Sequence, residues 1–402
     1  MIDIRELQDS IQRTDSKIVM LVVDGLGGLP RSSDKRSELQ VAHTPNLDSL
    51  ARNSACGLTI PVLQGIAPGS GPGHLALFGY DPFKYIIGRG ALEAIGVDTI
   101  DFIDGDIVAR GNFCSVDTDN KLVDRRAGRI PSSESKGLCA RLNQVEIDGL
   151  DLKVYHVKDY RFVLRIRGEN LSDRLTETDP QRTGIAPLRV KARDSQAEVT
   201  AKAANEFIVQ AKAILANENR ANMVLLRGFS GMPSLPSFSD SLKLKAASIA
   251  AYPMYKGLTR ICGMDVIPSG DTFSNEVDSL IKQFPSYDFF YIHYKDADAA
   301  GEDGNFEAKV TALENLDTHI PQIRDLNPDV LIIAGDHSTP SIMASHSWHP
   351  VPFCLWSNLT QGEGVDSFDE KSFRNGSLGT IAAVDIMTLA LSHAGKLTKF
   401  GA

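Results

Sequence analysis

The 402-residue chain is longer than one hydrophobic core usually supports, and its 42% hydrophobic and 23% charged residues are ordinary globular proportions, which excludes a disordered chain and favours two domains. A net charge of −9 argues against a nucleic-acid partner, because binding a phosphate backbone draws on clustered cations. Five cysteines without a C-x-x-C spacing give neither a disulfide framework nor a zinc ribbon and point to a reducing, cytoplasmic setting.

Residues 1–17 are polar and of mixed charge, and the apolar run Ile18 to Val23 is far too short for a signal peptide or a membrane span, so no membrane partner is expected. The run does have the length and β-branched content of a buried parallel strand. Asp24-Gly25 follows it. A carboxylate there loses hydration unless a cation or hydrogen bonds compensate it, although Asp-Gly after a strand is commonly a plain turn. A helical pattern over Asn46 to Asn53 leads to the small-residue loop Gly69-Ser70-Gly71-Pro72-Gly73-His74. Ser70 is placed to be a nucleophile if a base or a metal activates it, and His74 is either its helical neighbour or a capping side chain; a plain loop is the alternative.

Residues 78–230 carry their own strand-like segments, Lys153 to Val157, Phe162 to Ile166 and Met223 to Leu226, and a helical pattern over Ala201 to Ala216. Between Arg110 and Asp194, 12 Arg and 5 Lys stand against 13 acidic residues, while the rest of the chain sums to −13. That local excess suits a small anionic substrate and equally a solvated charged face. We read 78–230 as a domain inserted into a discontinuous one made of 1–77 and 231–402, with the Pro- and Ser-rich passage Gly231 to Ser241 as the returning linker.

Beyond the linker, a helical pattern over Phe273 to Phe284 precedes the strand-like Phe289 to Ile292, and then comes the carboxylate-rich stretch His293 to Gly304, either a divalent-cation site or a solvated acidic loop. A helix over Asn305 to Ile320 and a strand over Val330 to Ala334 lead into Gly335-Asp336-His337-Ser338, which sets an oxygen and an imidazole side by side. His346-Ser347-Trp348-His349-Pro350 adds two imidazoles, and Thr380 to Ala394 reads as a closing helix. Alternating strands and helices predict an α/β sheet covered on both faces, in which ligands gather beyond the carboxyl ends of the strands. Asp24, His293 and Asp336 are therefore expected to converge. Each histidine alone is more commonly structural, but the joint set of Asp, Ser, Glu and His is the mixture that two divalent cations such as manganese, zinc or magnesium accept.

The ordered set Asp24-Gly25, His43-Thr44-Pro45-Asn46-Leu47-Asp48, Gly69-Ser70, Asp336-His337 and His346 resembles the alkaline phosphatase superfamily. The stretches His74 to Pro82, Gly88 to Gly96, Val123 to Ile130, Leu171 to Pro180 and Lys256 to Val266 look like those of archaeal-type cofactor-independent phosphoglycerate mutases, so the resemblance covers nearly the whole chain. It implies an alkaline-phosphatase-like, mostly parallel α/β sheet sandwiched by helices, with an inserted smaller α/β domain. It also implies a 2,3-bisphosphoglycerate-independent mutase, an isomerase of glycolysis and gluconeogenesis that interconverts 3- and 2-phosphoglycerate through a phosphoserine at a two-metal site. Carried over by residue, Ser70 matches the nucleophile; Asp24, Ser70, Asp336 and His337 match the ligands of one metal; and Asp298 and His346 match ligands of the second. Glu302 stands where a histidine is usual in that second site. The implied cofactors are two divalent ions, manganese first with zinc, cobalt or magnesium as alternatives, and no bisphosphoglycerate; the implied partner is a small phosphorylated substrate. Lys256 matches a family lysine near the nucleophile, and Arg89, Arg125, Arg126 and Arg129 are expected substrate contacts. Gly71-Pro72-Gly73 replaces a common Asp-Thr-Ala run, and His349 sits where an aspartate is common. Two alternatives use the same metals: a phosphatase or phosphotransferase acting on another small hydroxylic metabolite, such as a homoserine-like acceptor, and, from another class, a non-catalytic metal-dependent binding protein.

Overall fold

The computed structural model describes residues 4–360, 364–399 and 401. The strands along them are β1 (Ile18–Val23), β2 (Ala55–Ile60), β3 (Ile107–Val116), β4 (Leu122–Asp124), β5 (Asp151–Lys158), β6 (Arg161–Arg167), β7 (Met223–Ser230), β8 (Ala246–Ile249), β9 (Asp265–Val266), β10 (Phe289–Tyr294), β11 (Val330–Ala334), β12 (Val351–Ser357) and β13 (Gly379–Ala382). The chain divides into two compact units. The larger comprises residues up to Ile86, Leu235–Tyr252 and everything from Cys262 on; the smaller comprises Ile87–Ser234 and Pro253–Ile261.

The larger unit holds an eight-stranded sheet in the order β13-β2-β12-β11-β1-β10-β8-β9. β1 lies at its centre, parallel to β10 and β11, with Val22 opposite both His293 and Ala334. Only β12 runs antiparallel to its neighbours. All six residues of β1 are buried, as a strand covered on both faces requires, and each buried Val, Ile or Leu contributes roughly 1.5–3 kcal/mol. Val19, Leu21 and Val23 pack with Phe290, Ile292, Leu331 and Ile333 under the helices that carry Leu47, Leu50, Leu313 and Leu316. One of those helices, Pro45–Arg52, makes no side-chain cap of its own at Thr44. Its free N–H groups are taken by the Asp317 carboxylate, which accepts from Leu47 N at 2.7 Å and Asn46 N at 3.2 Å. The His43 to Asp48 motif is thus a structural joint between two helices. The closing segment read as one helix from Thr380 begins instead as β13, parallel to β2, and passes through a 3-10 turn at Ala383–Asp385 into the α-helix Ile386–His393.

In the smaller unit β4-β3-β6-β5 form a sheet in which β7 also pairs with β3, every pairing antiparallel. Its core gathers Phe113 and Phe162, 5.0 Å between ring centroids, with Leu164, Val224, Leu226 and Phe207 from the helix Glu198–Ile214. The edges expected at 77/78 and 230/231 fall at 86/87 and 234/235. The short helix Pro253–Ile261, expected in the metal-binding domain, belongs to the smaller unit. Glycines at the crossing explain this. A Cβ on Gly96 would lie 1.8 Å from Pro253 O, and one on Gly257 2.0 Å from Leu92 O, so only Gly at both positions lets this helix close onto Arg89–Gly96.

Candidate active site

Because β1, β10 and β11 are parallel and in register, their carboxyl ends deliver Asp24, His293, Lys295, Asp336 and His337 to one edge of the larger unit's sheet. Asp24, Asp336, His337 and His74 are fully buried, and Asp298 and His293 nearly so. Uncompensated charges at such depth would cost several kcal/mol each.

These side chains fall into two overlapping groups of donor atoms. In the first, His337 Nε2 stands 3.3 Å from Asp24 Oδ1, 3.2 Å from Asp336 Oδ2 and 3.2 Å from Ser70 Oγ. The second brings together Asp298, His337 and His346, with His346 Nε2 3.7 Å from Asp298 Oδ1 and the two imidazoles stacked at 3.6 Å between centroids. The Lys295 ammonium joins the groups, 2.8 Å from Asp24 Oδ2 and 2.6 Å from Asp298 Oδ2. Within each triad of carboxylates and imidazoles the donor atoms lie within 4.8 Å of one another.

The hydrogen-bond directions show that a cation fits the first group. Thr339 Oγ1 donates to Asp298 Oδ1 at 2.6 Å, so at 2.9 Å from His337 Nδ1 it must accept, which puts the ring proton on Nδ1. The Nε2 lone pair then faces two carboxylate oxygens, and Asp336 Oδ2 accepts no hydrogen bond. Such a set of electron-rich atoms is stable around a divalent ion and repulsive without one. The electrostatics agree: burial pushes the His337 imidazole below its ordinary pKa, against the pull of Asp336 and Asp24, and so keeps it neutral as a ligand must be. Asp24 is held well below the carboxylate range; burial pushes it up, but Lys295, His293 and His337 outweigh that.

Ser70 is the first residue of the helix Ser70–Leu77, whose N-cap Gly69 supplies no side-chain cap, so open N–H groups and the positive end of the helix dipole lie beside its hydroxyl. His74, one turn on, donates from Nδ1 to Ser70 O at 2.8 Å and lies 3.2 Å from Asp336 Oδ2. A Cβ on Gly73 would sit 2.2 Å from Asp336 O, so the Gly71-Pro72-Gly73 run lets this helix abut the Asp336 loop.

Three further residues complete the site: His293, expected from sequence to converge with Asp24, and Thr339 and Lys309, which sequence reasoning did not single out. His293 Nε2 lies 3.2 Å from Asp24 Oδ2, and Thr339 sets the His337 tautomer. Lys309, fully buried, donates to Gly25 O, Gly27 O and Thr339 O at 2.8, 2.9 and 2.8 Å, stapling the loop after β1 to the loop after β11. Its one sequence signal is a lysine on the apolar stripe of Phe306–Asp317, beside Val310, Leu313 and Leu316.

The remaining expected residues are placed less tightly. Glu302 is half exposed and stands outside both donor groups, 3.7 Å from His346 Nε2. The neighbouring His346 imidazole lowers the pKa of Glu302 to about 2; that of His346, against the effect of burial, rises to about 9 through Glu302 and Asp298. In the smaller unit, Ala127, Gly128 and Arg129 form a left-handed turn, φ 49°, 62° and 52°, pinned by Asp124, which accepts from Arg126 N and Gly128 N. Arg125 spends its fork on Asp179, at 2.8 and 2.7 Å, while Arg126 and Arg129 are exposed. Arg89 Nε lies 3.5 Å from the buried Glu93, which also faces Arg110 Nε at 3.1 Å on β3. Lys256 is half-buried on Pro253–Ile261.

No helix among the described residues is long and apolar enough to cross a membrane. Residues 51–220 match the model of the family described as 2,3-bisphosphoglycerate-independent phosphoglycerate mutase. Curated relatives named probable 2,3-bisphosphoglycerate-independent phosphoglycerate mutase are similar along their whole length. That of Thermus thermophilus is 47% identical over 401 residues, 98% of each chain, and that of Thermotoga maritima 48% over 390 residues, 96% of each. Among solved structures, a protein of Pyrococcus horikoshii superposes with a TM-score of 0.82 at 27% identity, covering 96% of this chain and 99% of that one. The cofactor-independent phosphoglycerate mutase of Thermoplasma acidophilum superposes with 0.67 at 29%, covering 94% and 100%. On full-length identity of this order, the chain belongs to the 2,3-bisphosphoglycerate-independent phosphoglycerate mutase family.

Proposed function

We propose that the protein is a cytoplasmic phosphoglycerate mutase, an isomerase that interconverts 3- and 2-phosphoglycerate without bisphosphoglycerate by way of a phosphoserine at Ser70. The observation that carries this reading is the Ser70 hydroxyl at a helix N-terminus, 3.2 Å from His337 Nε2 and so at the edge of the Asp24, Asp336 and His337 group. Asp24, Ser70, Asp336 and His337 would hold one divalent ion, and Asp298 and His346 the other, with Glu302 at its rim. Bound there, manganese by first assignment, or zinc, cobalt or magnesium, supplies positive charge that favours the serine alkoxide and screens the phosphoryl oxygens.

Ser70 Oγ attacks the phosphorus of 3-phosphoglycerate; the Oγ–P bond forms, the bond from phosphorus to the C3 oxygen breaks, and the proton lost from serine ends on that oxygen. The helix N-terminus offers N–H groups to the phosphoryl oxygens. By the family resemblance, the guanidinium forks that retain glycerate are assigned to Arg89, Arg126 and Arg129, with Arg125 fixing the turn that carries Arg126 and Arg129 through Asp179, and Lys256 is assigned to the substrate's charge. Re-presented through its C2 hydroxyl, glycerate takes the phosphoryl group back by the same steps in reverse. Because donor and acceptor are the same molecule, no bisphosphoglycerate is needed.

The test is an acid quench of the manganese-loaded protein during turnover of 3-phosphoglycerate, followed by peptide mapping. Phosphate is expected on the peptide that carries Ser70; turnover with that peptide unmodified at every quench time would contradict the phosphoserine.

A further inference from the structure

The larger unit has a second concavity that none of Asp24, Ser70, Asp298, Asp336, His337 or His346 lines. It is a cavity of about 410 Å³ between the loop that leaves β1 and the helix Glu370–Phe373, within the size range of small-ligand sites. Its floor is partly apolar, from Leu29, Leu58 and Pro350, and four cations, Lys35, Arg36, Lys371 and Arg374, stand around it.

Both walls are built. On one side Asp34 is gripped by the forks of Arg31 and Arg36, and Lys35 is held in a left-handed conformation, φ 58°, by its own N–H bond to Arg31 O. On the other, Asp369 caps the first turn of Glu370–Phe373, and Glu370 ties the walls together by accepting from Gly28 N at 2.7 Å and Ser37 Oγ at 2.6 Å. The one carboxylate lining the cavity is therefore already engaged. By contrast, among the described residues the side chains of Lys35, Lys371 and Arg374 make no hydrogen bond or ion pair. Arg374, just past the end of the helix Glu370–Phe373, lines the cavity together with His349; burial and the nearby charge of Arg374 keep His349 below its ordinary pKa.

Three uncompensated cations converging from two walls on a concave, partly apolar space concentrate positive potential in a chain whose net charge is negative. Two ammonium groups and one planar guanidinium exceed what a single carboxylate needs and match the several oxygens of a phosphate. We infer that this cavity is a non-catalytic site for a small phosphate-bearing metabolite, held by Lys35, Lys371 and Arg374. An occupant would touch Gly28, on the loop that begins at Asp24, and His349, three residues beyond His346.

Trp348 stacks on His349 at 4.9 Å and is half exposed, and the chain has only two tryptophans, so a Trp356→Phe background makes Trp348 a reporter for the cavity. The experiment titrates the metal-loaded full chain in that background with inorganic phosphate at constant ionic strength, chloride replacing phosphate, and follows fluorescence. A saturable change is expected, weakened at least tenfold in Lys371→Ala/Arg374→Ala and in Lys35→Ala on the opposite wall, and unaltered in Arg126→Ala. These side chains are exposed, so the variants should keep the parent's melting temperature. Equal affinity in the parent and the Lys371→Ala/Arg374→Ala variant, or no saturable change in the parent, would overturn the site.

Discussion

Ser70→Ala is expected to lower turnover by roughly 10⁴-fold or more while leaving the number of bound metal ions unchanged. The asymmetry follows from what the hydroxyl does. As the proposed nucleophile it makes the bond on which each half-reaction depends. As a donor atom it is one of four in the first group, and those of Asp24, Asp336 and His337 remain. Metal content by atomic emission and rate by a coupled assay separate the two roles. Loss of both together would make Ser70 a structural ligand, and a rate within tenfold of the parent would remove it from the chemistry.

Lys309→Met is expected to destabilise the larger unit by about 3–5 kcal/mol in urea denaturation and to weaken metal binding about 10- to 100-fold, although Lys309 touches no proposed metal ligand side chain. Methionine keeps most of the volume but leaves three buried carbonyls, Gly25 O, Gly27 O and Thr339 O, without their donor, at about 1–3 kcal/mol each before relaxation. It also removes a positive charge that interacts with the buried Glu38 and with Glu370. Burial pushes the Lys309 ammonium below its ordinary pKa while those two carboxylates pull it back up, so nearby negative charge and three-way hydrogen bonding together offset the cost of burying it. A stability loss under 1 kcal/mol with unchanged metal affinity would mean that the two loops hold their positions without it.

What the sequence made legible were features that depend on local pattern. β1, β10 and β11 are short β-branched or aromatic runs ending in polar residues, so both their existence and the convergence of Asp24, His293 and Asp336 could be read from periodicity and the geometry of parallel sheets. β3 was missed because Arg110, Gly111 and Asn112 interrupt its apolar run, although all ten residues are buried. β13 was absorbed into a helix because four residues beside an apolar helical stripe carry too little period-2 signal to stand out. Residues whose meaning is a distant partner were invisible. Asp317 caps a helix some 270 positions earlier in the chain, Thr339 sets a tautomer, and Lys309 reads from sequence as a charge misplaced on an apolar face. Glu302, which the family resemblance puts at a ligand position of the second site, has its carboxylate 3.7 Å from His346 Nε2.

The most direct measurement is phosphorus NMR of the manganese-loaded protein with 3-phosphoglycerate and no bisphosphoglycerate. The expected result is a 2-phosphoglycerate resonance that grows to a constant ratio with 3-phosphoglycerate, with no accumulation of free phosphate. Free phosphate as the only product, or an unchanged spectrum with each of manganese, zinc, cobalt and magnesium, would contradict the mutase.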